Sequence, residues 1–178
     1  MSEAASSSEA FWSDAAKAAQ VIALDPHAIG GIWVQCRRSG AVEDWLQYLR
    51  DCLGPDAPYV RIPLSADDSR LLGGLDLAST LSAGRPVVDR GLIADANGGI
   101  ALLPNAECVR SATVAALTSA LDNGSLAVER EGISAKIETR FGVVALYEGG
   151  EAAAPALRER LAMQIDFTSV SALAPMKT

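Results

Sequence analysis

Short apolar runs separated by helical stretches set the plan of this chain. Ile32, Trp33 and Val34 form a continuous apolar run, preceded by Gly30-Gly31 and followed by the polar loop Gln35 to Gly40. A run of that kind predicts a central parallel strand covered on both faces. Val42, Trp45, Leu46, Leu49 and Leu53 then recur at helical spacing until Gly54-Pro55 stops the helix. Tyr59 to Ile62, Ile100 to Leu103 and Phe141 to Tyr147 repeat the strand signal, and Ile165 to Phe167 is a candidate last strand. Ser13 is placed to cap a helix running to Leu24, which Asp25-Pro26 ends. A helical turn over Asp76 to Leu81, a hairpin over Gly84 to Gly91 and a short helix over Leu92 to Ala96 precede the third strand. Glu107 to Leu121 reads as a helix, Leu126 to Arg130 with Ile133 to Thr139 as a β-hairpin, and Pro155 to Met163 as a helix with proline in its first turn. Strands and helices in this order predict a layered α/β domain with a mainly parallel sheet.

Composition narrows the functional classes. The 178 residues carry 22 acidic and 15 basic side chains, a formal net charge of −7, which speaks against a non-specific nucleic-acid binder. No stretch of eighteen apolar residues and no basic-then-apolar leader occurs, so neither a membrane span nor a signal peptide is expected. Cys36, Cys52 and Cys108 lack metal-ligand spacing, the lone His27 cannot complete a zinc cluster with them, and a reduced, cytoplasmic chain is the expectation. His27 reads as a turn residue, Trp33 and Trp45 as core, and Trp12 as a residue of the mobile start that packs on a neighbouring module.

A strand, a loop and a helix N-terminus together make the usual cradle for a nucleotide phosphate. A working loop reads G-x-x-x-x-G-K-[ST], with Lys on the terminal phosphates and the hydroxyl on Mg²⁺. Here Gln35, Cys36, Arg37, Arg38, Ser39 and Gly40 are followed by Ala41 in the Lys slot and Val42 in the hydroxyl slot. A Lys–phosphate interaction at about 4 Å is worth roughly 4 kcal/mol at an effective dielectric of about 20, or about three decades in rate. Arg37, Arg38, Ser39 and Gly40 remain as a relic loop able to hold phosphate by charge and amides. Cys36 beside two arginines suggests a low-pKa thiolate, but a phosphatase loop needs Arg six residues on, where Val42 stands; a small packed residue is the better reading.

The runs Leu71 to Leu102 and Val128 to Leu146 carry a family signature, LLGGLDLASTLSAGRPVVDRGLIADANGGIAL and VEREGISAKIETRFGVVAL. They resemble the AAA+ module of magnesium chelatase, and the similarity spans Gly30 to Phe167. The resemblance implies a P-loop-type three-layer αβα domain with a mainly parallel five-stranded sheet, a helix-2 insert and a β-hairpin before the fourth strand. It also implies a flexible tail over residues 1–12, a degenerate AAA+ domain over 13–171, and the start of a linker over 172–178, with the lid, acidic linker and integrin-like domain beyond this chain. Degraded motifs and Ala-rich helices resemble the D-type subunit more than the hydrolysing I-type subunit.

Departures from the family pattern decide what the resemblance implies. Where an active module ends its third strand in Asp-Glu, this chain has Pro104 and Asn105, neither of which serves as metal ligand or base. Where the active subunit offers an arginine finger, the sequence is Leu161, Ala162, Met163, Gln164, Ile165, with Arg158 and Arg160 just before it. The implied role is a non-hydrolysing platform in the insertion of Mg²⁺ into protoporphyrin IX for bacteriochlorophyll synthesis. No catalytic or metal-ligating residue and no required cofactor are expected, although ATP and Mg²⁺ serve the complex and residual ATP binding is left open. The implied partners are the I subunit, further copies in hexameric rings, and the porphyrin-binding H subunit, with Arg158, Arg160 and the hairpin tip Glu129, Arg130 and Glu131 as contact residues. Two other readings stand beside this one: a weakly active ATPase of the same fold, and an interaction module unrelated to chelation.

Overall fold

The computed structural model describes residues 2–37, 40–75, 77–85, 87–130, 133–150, 154–168 and 170. In chain order the elements are α1 Ser2–Leu24, α2 Pro26–Ile29, β1 Gly31–Gln35, α3 Gly40–Leu53, β2 Tyr59–Arg61 and α4 Asp68–Leu72. Then come β3 Gly74–Leu75, α5 Leu77–Ala83, β4 Val88–Asp89, α6 Leu92–Asp95, β5 Ile100–Leu103 and a 3-10 turn Ala106–Cys108. The chain continues through α7 Ser111–Asn123, β6 Ser125–Arg130, β7 Ile133–Glu138, β8 Gly142–Tyr147, α8 Pro155–Arg158 and β9 Met163–Asp166.

Five parallel strands form the main sheet in the order β2-β5-β8-β1-β9. Alternate side chains leave each central strand toward opposite faces, as the pleat requires. Trp33, Ala101, Leu103, Val143 and Ala145 join one core with Leu117 of α7 and Leu157 of α8. Ile32, Val34, Ile100, Leu102 and Val144 join the other with Ala19 of α1 and Trp45 and Leu49 of α3. Both faces are therefore covered, which is why the strands read as continuous apolar runs. This is the three-layer αβα arrangement expected from the sequence, with the β6–β7 hairpin as a separate two-stranded sheet ahead of β8.

Close backbone approach is built in at Gly31, whose φ is +152° and where an added Cβ would strike the Val143 carbonyl. Gly73 and Gly91 similarly let the chain cross itself beside β4.

Four expectations need correction. Helix α1 begins at Ser2 rather than at a Ser13 cap, and the tail expected over residues 1–12 is continuous with it. Trp12 is buried within this chain, edge-on to Phe167 at 5.8 Å, rather than left for a neighbouring module. The hairpin expected over Gly84 to Gly91 is replaced by β3 pairing antiparallel with β4 around α5, because the glycines at 73 and 91 permit a pairing that spans the helix. The helix expected from Pro155 to Met163 stops at Arg158, because Leu161 turns into the core and Met163 starts the edge strand beside β1. Helix α4, capped by Asp67 on the Arg70 amide at 2.8 Å, lies in a stretch that read as irregular. The linker expected over residues 172–178 lies outside the described residues.

Candidate functional site

The carboxyl ends of parallel strands are where an α/β fold places its ligand. Here the ends of β1, β2, β5 and β8 surround a cavity of about 320 Å³, whose lining includes Arg37, Glu43, Arg61, Asn105 and Glu148. The relic loop therefore leads into a real concavity.

Its chemistry differs from that of a hydrolytic site. Helix α3 starts at Gly40, and the residues in the Lys and hydroxyl slots, Ala41 and Val42, are buried in the α1–α3 core. Beyond β5, Pro104 is buried and Asn105 takes a left-handed conformation, φ 51° and ψ 58°. Neither position supplies a carboxylate. Among the described residues no group of three or more His, Cys, Asp or Glu is arranged to hold a metal ion. Ala41, Val42, Pro104 and Asn105 offer magnesium ATP no side-chain cation, hydroxyl or carboxylate.

Carboxylates enter the site from elsewhere. Glu107 Oε2 accepts the Glu148 backbone N–H at 3.2 Å, and Oε1 receives the Asn105 amide at 3.4 Å. Glu43 sits in the first turn of α3, where the helix dipole favours a negative charge. The Cys36 backbone N–H donates to Tyr147 at 2.8 Å, and burial, then Glu148 and Glu107, push its thiol up to about 11. At neutral pH Cys36 is a protonated, packed thiol, which agrees with the packing reading and not with a nucleophile.

The sequence-read residues divide sharply. Arg37 lines the cavity and Gly40 opens α3, whereas Arg38 and Ser39 lie outside the described residues. Within this chain Arg160 is paired: its Nε and Nη2 each donate to Asp122 at 2.7 Å, and Nη1 donates to the Ala156 carbonyl. That pair holds the Asp122 carboxyl below the usual range and the Arg160 guanidinium above its own. Arg158 donates to Gln164 at 2.9 Å and lies over Trp33, 5.7 Å from the ring centre. Gln164, the expected finger position, sits on the edge strand β9. The backbones of Glu129 and Arg130 end β6, and Glu131 lies outside the described residues. His27 forms part of α2, its Nδ1 buried without a partner, as befits a turn residue and not a base.

Sequence reasoning missed Glu43, Arg61, Glu107 and Glu148. A signal existed for Glu148, the first residue after the fourth apolar run, and for Arg61 at the end of the second. Glu107 carried none, because it reaches Glu148 across 41 residues.

No family model matches the chain. A structure of the complex between subunits BchI and BchD of magnesium chelatase, built on single-particle cryo-EM, superimposes with a TM-score of 0.64. The match has 23% identity and covers 86% of this chain and 57% of that one. The chain shares its fold with that magnesium chelatase structure. Its sequence likeness is to magnesium-chelatase subunits, of 67, 60 and 38 kDa. The 67 kDa magnesium-chelatase subunit of Chlorobaculum parvum is 28% identical over 158 residues, covering 88% of this chain and 25% of that protein. The 60 kDa subunit of Cereibacter sphaeroides is 36% identical over 111 residues, 62% of this chain and 19% of that protein. The chain thus spans a fifth to a quarter of the length of these two relatives. The insert and the hairpin that the sequence resemblance implies correspond to β3–α5–β4 and β6–β7.

Proposed function

We propose that this chelatase-type AAA+ module is a non-hydrolysing platform that assembles with an ATPase partner, the I subunit, in ATP-driven insertion of Mg²⁺ into protoporphyrin IX. The observation that carries the reading is the pairing of Ala41 and Val42 at the start of α3 with Pro104 and Asn105 after β5. Both halves of the hydrolytic apparatus are gone while the strand order and the cavity between them persist. A fold kept without its chemistry is suited to contacts. AAA+ modules associate head to tail, and such heterologous contacts close into rings.

The wider assignment, a chelatase of bacteriochlorophyll synthesis with hexameric tiers and a separate porphyrin-binding subunit, is the one that the resemblance read from the sequence implies. No helix among the described residues is long and apolar enough to cross a membrane.

The test is size-exclusion chromatography of the chain mixed with a chelatase I subunit and ATP. Co-elution in one large complex is expected. Separate elution at every nucleotide condition contradicts the platform role and favours an interaction module unrelated to chelation.

A further inference from the structure

Glu107 lies in the 3-10 turn after β5, and Glu148 is the first residue after β8, its neighbour in the sheet. Through Oε2 Glu107 takes the Glu148 backbone N–H, and through Oε1 it takes the Asn105 side-chain amide. One carboxylate therefore ties the carboxyl ends of two adjacent parallel strands. Those ends are where N–H groups of α/β folds converge on a ligand anion, most often a phosphate. Here an anion carried by the chain itself already engages the N–H that follows β8.

The surrounding charge agrees with that assignment. Glu43 occupies the first turn of α3, the place where a helix N-terminus would meet phosphate. Among the described lining residues, Glu43 and Glu148 stand beside Arg37 and Arg61. Burial first, and then the Glu148 and Glu107 carboxylates, raise the Cys36 thiol in the loop. Asn105 is the only described non-glycine residue with positive φ, in the conformation from which its amide reaches Glu107.

We propose that the Glu107 carboxylate is a built-in substitute for a bound phosphate, bridging β5 and β8 and holding the module in one state whether or not nucleotide is present. This rests on the platform reading and deepens it: a scaffold that must not cycle with ATP gains from a strand-end link that no hydrolysis can remove.

Amide hydrogen exchange on the full chain tests it, comparing wild type, Glu107→Gln and Glu107→Ala, each with and without millimolar ATP and Mg²⁺. Glu107→Gln keeps one oxygen to accept the Glu148 N–H, and loses the charge and the second acceptor that Asn105 uses. The expected result is a protected Glu148 amide in wild type and Glu107→Gln. In Glu107→Ala exchange there rises about tenfold, the scale of one lost hydrogen bond. ATP with Mg²⁺ changes nothing in wild type. Glu107→Gln also lowers the pH at which Cys36 reacts with iodoacetamide, a readout that a purely packing role for Glu107 would not move. Equal exchange at Glu148 in wild type and Glu107→Ala overturns the proposal, as does protection of Cys36 and Glu148 by ATP in wild type. Failure of the platform reading itself shows elsewhere, as ATP turnover or as separate elution from the I subunit, neither of which the exchange experiment reads.

Discussion

Trp45 illustrates how single residues tie this module together. Its ring is fully buried between α1 and the sheet, and its indole N–H donates to the Ala15 carbonyl at 2.8 Å. Trp45→Phe keeps most of the apolar contact but loses the bond and some volume, for an expected cost of about 1–2 kcal/mol in urea unfolding. Asp122 gives a pH-dependent case. Arg160 lowers its pKa in the folded state, so the pair stabilises the fold above the ordinary carboxylate range, and that contribution is lost as pH falls through the lowered value. Both side chains are solvent-exposed, so wild type and Asp122→Asn should differ modestly at neutral pH, converge in acid, and differ less in high salt. Thermal melts across pH and ionic strength check this. The start of α3 at Gly40, with Ala41 and Val42 buried behind it, was legible from sequence, because a polar loop followed by an apolar helical stripe marks the place. The Glu107 link was not legible, since it depends on where two strand ends meet in space.

At the scale of elements, α1 is anchored by an aromatic cluster. Phe167, just past β9, packs against Phe11 at 5.1 Å, Trp12 at 5.8 Å and Trp45 at 5.9 Å. Phe167→Ala is expected to cost about 3–5 kcal/mol and to loosen α1, which tryptophan fluorescence and denaturant titration report together. Gly31→Ala tests the junction of β1 and β8: with φ at +152° and the Val143 carbonyl in the way, the strands must part. A loss above about 3 kcal/mol is expected by chemical denaturation, and a near-neutral result would contradict the close approach. The apolar strands and α3 were legible because a strand buried on both faces leaves an uninterrupted apolar run, and an amphipathic helix leaves a 3.6-residue stripe. Helix α4 was not, for its five residues bury only Leu71. The end of α8 was equally hidden, because burial of Leu161 and pairing of β9 with β1 override a helical pattern that runs on to Met163.

The whole molecule has the strand order β2-β5-β8-β1-β9 and a cavity at its strand ends, beside which Glu107 links the ends of β5 and β8. Fold class could be argued from the order of apolar runs alone, and the insert and hairpin from the signature runs at Leu71 to Leu102 and Val128 to Leu146. The contents of the cavity needed coordinates. If the architecture survives without the chemistry, the chain should associate with an ATPase yet contribute no turnover. The most direct measurement is phosphate release from ATP and Mg²⁺ by the purified chain alone, at micromolar protein and millimolar nucleotide. The account expects release no faster than in protein-free buffer. Steady turnover that Arg38→Ala abolishes would contradict it.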